Sequence, residues 1–562
     1  MNRTDERSAL PASLALGEPR FRDAALAILC REQGAVAAWR EALRRGAGAA
    51  AALADGEYAI ALRDSDGRVF LAVDRFAVRT LCYRVVGGTL QFAARADELA
   101  DGAPLDPQAL FDYLYSHVIP SPRTVFQGVF RLPPGHYALW ESGRLEVAPY
   151  WVPQFDDAAS WSFAEAKLEF RQLLRNAVAA QLDGSKPACF LSGGTDSSTI
   201  AGMIGAVAGR PAASYSIGFE AEGYDEMEYA RIAARHFRTE HHEYYVTPDD
   251  LVAAIPSAAA HFDQPFGNSS ALPAYYCARM AREDGVTKLL AGDGGDELFG
   301  GNSRYAMQRV FGWYDAIPVG LRNTILEPIF GLPLVAKTPL LRKGSSYIRQ
   351  AKVPMPDRME TYNLLYRIGT REILSDAFMA AVDEAAGQRQ RREVWQIART
   401  GSLVNRMLAF DWRYTLAETD LPKVCGATQL AGIGVGFPML DPGLLALALR
   451  MPPDAKLKGL RLRWFFKEAL RGFLPDEIIT KKKQGFGLPF GVWAMRHAEL
   501  RRLAEDSLAT LGDRGLVRPE FIRALFAEHM PAHPGYYGEM VWILMMLEQW
   551  LRRHAPQYRM LR

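Results

Sequence analysis

The segment Ala188-Cys-Phe-Leu-Ser-Gly-Gly-Thr-Asp-Ser-Ser198 constrains this chain more than any other. Residues 188–191 form a short apolar run that reads as a buried strand. The run empties into Ser192, Gly193, Gly194, Thr195, Asp196, Ser197 and Ser198, and residues 199–208 are compatible with a helix. A strand, a Gly-rich turn and a helix in that order aim backbone N–H groups and a helix N-terminus at an anion. The glycines let the backbone approach a phosphate closely. The hydroxyls add donors, and Asp196 can hold a divalent cation. No Gly-Lys-Ser/Thr closes the loop, so it is not the Walker phosphate loop.

Two further segments share this character. Ser214-Tyr-Ser-Ile-Gly-Phe219 ends a strand and is followed by Tyr224-Asp-Glu226. Ligands in sheets of this kind sit beyond the carboxyl ends of the strands, and the backbone edge at Ser216 and Gly218 can read an adenine. Gly292-Asp293-Gly294-Gly295-Asp296-Glu297-Leu-Phe-Gly-Gly301 follows another strand, 288–291. Three acids and five glycines in ten residues make poor core and poor helix. They suit Mg²⁺, which takes carboxylate together with phosphate oxygens, so Asp196 and Asp296 are the expected metal ligands, with Gly292 and Gly294 beside the nucleotide. Near the C-terminus, Lys481-Lys-Lys-Gln-Gly-Phe-Gly-Leu-Pro-Phe490 places fixed cations next to a glycine. Lys483 reads as an electrostatic stabiliser of phosphate or oxyanion charge, whereas Lys481 and Lys482 read as a solvated surface run.

The rest of the chain supplies a frame for these loops. Its 562 residues suggest ~3–4 domains, or fewer large ones. Residues 1–20 read as a loose lead-in and 21–45 as Ala-rich helix. From Glu57, four apolar runs (58–62, 69–73, 80–86 and 90–93) are separated by Asp66-Gly67 and Gly87-Gly88, which are hairpin signals. A further hairpin spans Gly135 to beyond Gly143. A linker at 153–160 precedes a helix at 163–182. Short apolar strands then alternate with helical segments, which argues for a parallel sheet covered on both faces. The tail from Leu403 reads as mainly helical, with 541–551 as core rather than an interface, such as that of a homodimer. The expected class is α/β. A β-rich α+β unit occupies 1–152, and a doubly wound parallel-sheet unit with a helical C-terminal part occupies 160–562.

Bulk properties narrow the partners. Lys+Arg 66 against Asp+Glu 64 leaves a net charge of +2, so nothing global argues for nucleic acid. Five scattered cysteines without CxxC spacing read as reduced thiols, and a structural zinc site is not expected. No signal pattern opens the chain, and the longest late apolar run is too short to span a bilayer. The expectation is a cytoplasmic protein without a membrane partner.

The Ser192–Ser198 loop resembles the S-G-G-x-D-S-S pyrophosphate loop of ATP pyrophosphatases. Taken with Ser216-Ile-Gly-Phe, Gly223-Tyr-Asp-Glu226, Glu240-His-His-Glu243, the Gly292–Gly301 loop, Phe437-Pro-Met-Leu-Asp441 and Lys483-Gln-Gly-Phe486, it makes the chain resemble the asparagine synthetase family from about residue 50 onward. Leu71-Ala-Val-Asp-Arg-Phe76 is similar to the late part of that family's N-terminal glutaminase domain. The resemblance implies ATP and Mg²⁺ as cofactors, adenylation of a carboxylate with release of pyrophosphate, and attack of an amine to give an amide and AMP. It further implies that Asp196 and Asp296 hold Mg²⁺, that Lys483 is the catalytic lysine, and that Asp293 acts as base or orients the nucleophile.

Departures from the family pattern refine this. The family glutaminase uses an N-terminal Cys exposed after Met removal, and residue 2 here is Asn2. The glutamine-binding segments have no counterpart, so the N-terminal domain is expected not to hydrolyse glutamine. In the acceptor region Cys425, Gly426, Gly434 and Gly436 stand where members often carry charges, which predicts a wider and less polar acceptor pocket. Two acceptors stay open: aspartate amidated by free ammonia, or a peptide carboxylate closed by a substrate amine. The second is the layout of lasso-peptide cyclases and β-lactam synthetases, with a precursor peptide as partner. A non-catalytic ATP-binding protein is the alternative from another class.

Overall fold

The structure is a computed structural model that describes residues 11–331, 339–481 and 487–560. The segment expected to be a loose lead-in is a strand in its second half. β1 (Ser13–Phe21) pairs antiparallel with β2 (Ala54–Arg63) over nine residues. Its Pro and Gly content hid it, yet Gly17 is what permits the pairing. Gly17 has a φ of +72°, and a Cβ there would run into the carbonyl of Glu57. Two helices, α1 (Ala24–Gln33) and α2 (Ala35–Ala42), follow, with α3 (Ala47–Ala52) closing the excursion. They bury Leu26, Trp39 and a row of alanines against one face of the sheet.

β2 continues to β3 (Val69–Val73), and the sheet is completed by β7 (His136–Glu141) and β8 (Arg144–Pro149) in the order β1-β2-β3-β7-β8. A smaller sheet holds β4 (Cys82–Val86), β5 (Thr89–Ala93) and β6 (Phe130–Arg131), ordered β5-β4-β6. The hairpins turn where Asp66-Gly67 and Gly87-Gly88 predicted. The Asp74 carboxylate organises the loop after β3 by accepting from the N–H groups of Phe76 (2.9 Å) and Tyr58 (3.3 Å). Burial raises its pKa to about 7.

One element of this region was not expected. α4 (Pro107–Ser116) has Asp106 as N-cap and Pro107 in its first turn. That pairing is a helix-start signal, and Leu110, Phe111 and Leu114 supply the apolar face. That face packs not on the antiparallel sheets alone but into the core built by the C-terminal helices.

From α5 (Phe163–Ala179) to residue 299 the alternation is as expected, and the described residues between 303 and 431 carry helices with no strand among them, an earlier start to the helical part than the expected 403. β9 (Ala188–Phe190), α6 (Thr195–Ala208), β10 (Ala213–Phe219), α7 (Met227–Phe237), β11 (Glu240–Val246), α8 (Pro248–His261), α9 (Ala271–Glu283), β12 (Lys288–Leu290), α10 (Gly295–Phe299) and β13 (Gly434–Gly436) make a five-stranded sheet. Its order is β11-β10-β9-β12-β13, and every pairing in it is parallel. α5, α6 and α7 cover one face, while α9 covers the other through Cys277, Ala278 and Ala281. The chain is therefore α/β and doubly wound in this part. The stretch 541–551 lies inside the helix Pro534–His554 and is buried throughout, so it is core. All five cysteines are free thiols. Among the described residues, no helix is long and apolar enough to cross a membrane.

Candidate active site

The strand order fixes where a ligand can go. After β9 the chain winds outward through β10 and β11, then returns to place β12 on the other side of β9. The loops leaving β9 and β12 thus diverge at a switch point beyond the carboxyl edge, which is where open α/β sheets hold ligands. A cavity of about 1080 Å³ lies there, and its wall includes Ser192, Gly194, Thr195, Asp196, Ser197, Ser216, Gly292, Asp293, Gly294 and Asp296. Ten of the residues singled out from the sequence therefore converge on one space.

Three others do not reach it. Ser198 is fully buried behind the loop. Gly193 has a φ of +69°, and a Cβ there would sit 2.6 Å from the Tyr229 Cβ, so this glycine exists to let α7 pack on the loop. We expect Gly193→Ala to destabilise the protein by ~2 kcal/mol or more, from the left-handed backbone and overpacking combined. Thermal unfolding with and without Mg²⁺–ATP would measure it. Gly218 likewise makes room for Tyr245, whose Cε1 would lie 2.6 Å from an added Cβ. Lys483 lies outside the described residues.

The turn itself is held by its hydroxyls. The Ser192 N–H donates to Ser197 Oγ (3.2 Å), and the two serine hydroxyls are 3.1 Å apart. Ser216 Oγ donates to the Leu191 carbonyl, tying β10 to the end of β9. The two loops touch at Gly292, where a Cβ would lie 2.8 Å from the Ser197 nitrogen. Only glycine lets the β12 loop come this close to the start of α6.

A residue not singled out from the sequence joins the two acids. Arg463 Nη1 donates to Asp196 Oδ2 (2.7 Å), Asp296 Oδ1 (2.8 Å) and Thr195 Oγ1 (2.8 Å), and Nη2 donates to Asp196 Oδ1. Its side chain is 6% exposed and stacks on Phe466. Burial works against its charge, and the carboxylates of Asp196 and Asp296 outweigh burial and hold its pKa above the usual value. Arg463 has a φ of +55°, a conformation no sequence pattern announces.

This guanidinium is also a test of fit for Mg²⁺. One cationic nitrogen already lies within 2.8 Å of an oxygen from each carboxylate, so the pair is spaced to share a cation. Among the described residues there is no cluster of three or more His, Cys, Asp or Glu able to cage a metal. Two carboxylates with the remaining positions left to phosphate and water is the usual arrangement for Mg²⁺.

On the opposite wall, Lys423 Nζ lies 2.9 Å from Asp420 and 3.6 Å from Asp293. Burial raises the Asp293 pKa, and Lys423 partly offsets this. Lys481, expected to be solvated, instead lines the cavity, 3.0 Å from Glu226 and over the ring of Tyr229. Packing against α7 captured a side chain that composition placed outside.

The wider acceptor pocket does not form where it was predicted. None of Cys425, Gly426, Gly434 and Gly436 lines the site cavity. The Phe262 ring fills the space over Gly426, with Cζ 2.7 Å from where a Cβ would be. Gln181 and Lys288 close over Gly436. Cys425 is buried against Val78, and Gly434 borders a separate cavity of about 330 Å³ between the antiparallel and parallel sheets. Neighbouring side chains took the volume that the missing ones vacated.

A second lobe of about 530 Å³ adjoins the site cavity and is walled by Tyr115, Tyr362, Tyr414, Tyr536, Glu360 and Arg391 among others.

Comparison with known proteins finds relatives over most of the chain. The family model described as asparagine synthase matches residues 169–552, and that described as glutamine amidotransferase domain matches 40–151. Asparagine synthetase [glutamine-hydrolyzing] 1 of Bacillus subtilis is 24% identical over 86% of this chain and 75% of its own length. A putative asparagine synthetase [glutamine-hydrolyzing] of Mycobacterium tuberculosis is 26% identical over 88% and 76%. Amidase chyE of Penicillium rubens is 25% identical over 81% and 73%.

Proposed function

We propose that this chain, which belongs to the asparagine synthase family, is an ATP-dependent ligase that adenylates a carboxylate and passes it to an amine without using glutamine. The observation that carries this reading is the meeting of the β9 and β12 loops at the switch point, with Arg463 across Asp196 and Asp296. Ser192, Thr195 and Ser197, with the N-terminus of α6, would receive the β and γ phosphates. Asp196 and Asp296 would hold Mg²⁺, which neutralises phosphate charge when bound. Arg463, bonded to Thr195 as well as to both carboxylates, would add positive charge beside the departing pyrophosphate. Lys483 would stabilise charge at the α-phosphate. Ser216 and the adjoining backbone edge would face the adenine. Asp293, held by Lys423, would orient the incoming nitrogen.

Glutamine is left out because no cysteine of the chain offers an exposed, activated thiol to attack it: Cys82, Cys189, Cys277 and Cys425 are buried, and burial raises the pKa of Cys30. The acceptor is aspartate or a peptide, and the second lobe favours the peptide. Free ammonia and aspartate leave about 530 Å³ of tyrosine-lined space without a use.

Pyrophosphate release from Mg²⁺–ATP tests the reading. The mixtures are aspartate with ammonium, aspartate with glutamine, and a linear peptide bearing a free N-terminal amine and an internal Asp or Glu. Multiple-turnover release is expected with ammonium or with the peptide, and with glutamine no more than aspartate alone gives. ATP binding without release in any mixture would favour a non-catalytic nucleotide-binding protein.

A further inference from the structure

The site cavity and the second lobe meet at a neck. Ser116, His117, Thr419 and Glu539 line both spaces. With the nucleotide on one side and the acceptor on the other, the activated carbonyl has to sit at this neck. Two of the four residues carry side chains that can accept a proton, and they stand together: His117 Nδ1 lies 3.8 Å from Glu539 Oε1.

The two side chains come from opposite ends of the chain. His117 caps α4, and Glu539 lies in the first turns of the helix Pro534–His554. Several contacts fix their relation. The Tyr113 hydroxyl of α4 donates to the Ile543 carbonyl (2.8 Å), and the His117 carbonyl accepts from the Gly267 N–H (2.8 Å). Gly267 is in turn held by Trp542, whose Nε1 donates to its carbonyl (3.0 Å). His117 has a φ of +62°, at a helix-capping position that glycine fills most easily. The His117 side chain is 29% exposed and borders the cavity.

We propose that His117 and Glu539 are the proton acceptors for the attacking amine, and that the N-terminal part of the chain completes the active site by delivering His117. This rests on the ligase reading above. Attack of an ammonium-bearing substrate on the acyl-adenylate must shed two protons. One leaves before the nitrogen lone pair forms the C–N bond. The second leaves from nitrogen as the tetrahedral intermediate expels AMP with the electrons of the C–O bond. Two acceptors at the neck match that count. Burial lowers the His117 pKa to about 4, which keeps the ring neutral, and raises that of Glu539 to about 7. Of the two, Glu539 is the base near the working pH and so the more effective acceptor.

The test uses the full chain with whichever acceptor of the preceding section supports turnover. Glu539→Gln should leave the first-turnover burst of pyrophosphate at the wild-type size and slow amide formation ~100-fold or more. His117→Gly, which relieves the backbone and so folds at least as well, should slow the same step ~10-fold or more. Hydroxylamine as nucleophile is already neutral at pH 7 and has only the second proton to shed, so with it the deficit of one of the two variants should shrink to a few-fold while the other persists. Amide formation at wild-type rate in both variants would overturn the assignment. So would equal loss of burst and amide, or a hydroxylamine reaction that leaves both deficits unchanged. Absence of pyrophosphate release by the wild type with every acceptor would overturn the ligase reading first, and this assignment with it.

Discussion

Asp196→Asn is expected to lower pyrophosphate release by ~10²–10³-fold or more, the scale seen when a pre-organised charge partner is removed from a reacting site. The same change should weaken the protein before any ligand is added. Arg463 is almost fully buried, and Asp196 takes hydrogen bonds from both of its terminal nitrogens. Removing that carboxylate's charge leaves the guanidinium with Asp296 as its remaining charged partner, which costs ~3 kcal/mol on the scale of broken buried ion pairs. The two effects separate in the double variant Asp196→Asn with Arg463→Met. Replacing the cation by an apolar chain of similar length removes the uncompensated charge, so thermal stability should return toward wild type while activity stays lost. Recovery of activity in the double variant would show that Arg463 merely blocks the site.

Glu418→Ala should be the most destabilising single change between the two halves of the molecule, by ~3–5 kcal/mol. Glu418 is 3% exposed and accepts from the Ser121 N–H (3.1 Å) and hydroxyl (2.7 Å). It also ion-pairs with Arg131, on β6, and with Arg413. Burial already lowers the Arg413 pKa to about 10, so that charge depends on its partner. Alanine would strand two buried guanidiniums at once. Because Thr419 and Asp420 are the next residues and line the site, ATP turnover should fall at temperatures well below melting. Glu418→Gln, which keeps the acceptor oxygen for Ser121 but not the charge, should lie between. The urea midpoint of each variant checks the order. A wild-type midpoint for Glu418→Ala would mean that water reaches the two arginines.

The Gly-rich loops of the site were legible because their pattern is local. Gly193, Gly194 and Asp196 fall within one turn, and the strand before them and helix after them are each set by a short apolar pattern. The neck between the two cavities was not. His117 and Glu539 are 422 positions apart in sequence, and nothing around either residue refers to the other. Cys425, Gly426, Gly434 and Gly436 misled for the opposite reason. Their loss of charge is visible in the sequence, but the side chains that refill the space, Phe262 and Gln181, are distant.

The sequence by itself determined the alternation of strands and helices, the two Gly-rich loops and the identity of the acids in them. These follow from periodicity and from the backbone freedom that glycine alone allows, both of which act over a few residues. Only the tertiary structure decided that α4 leaves the antiparallel part to join the C-terminal core, that Arg463 bridges the two carboxylates, and that Lys481 turns inward. Each depends on which buried charge or apolar face finds a partner across the chain, and that is settled by packing.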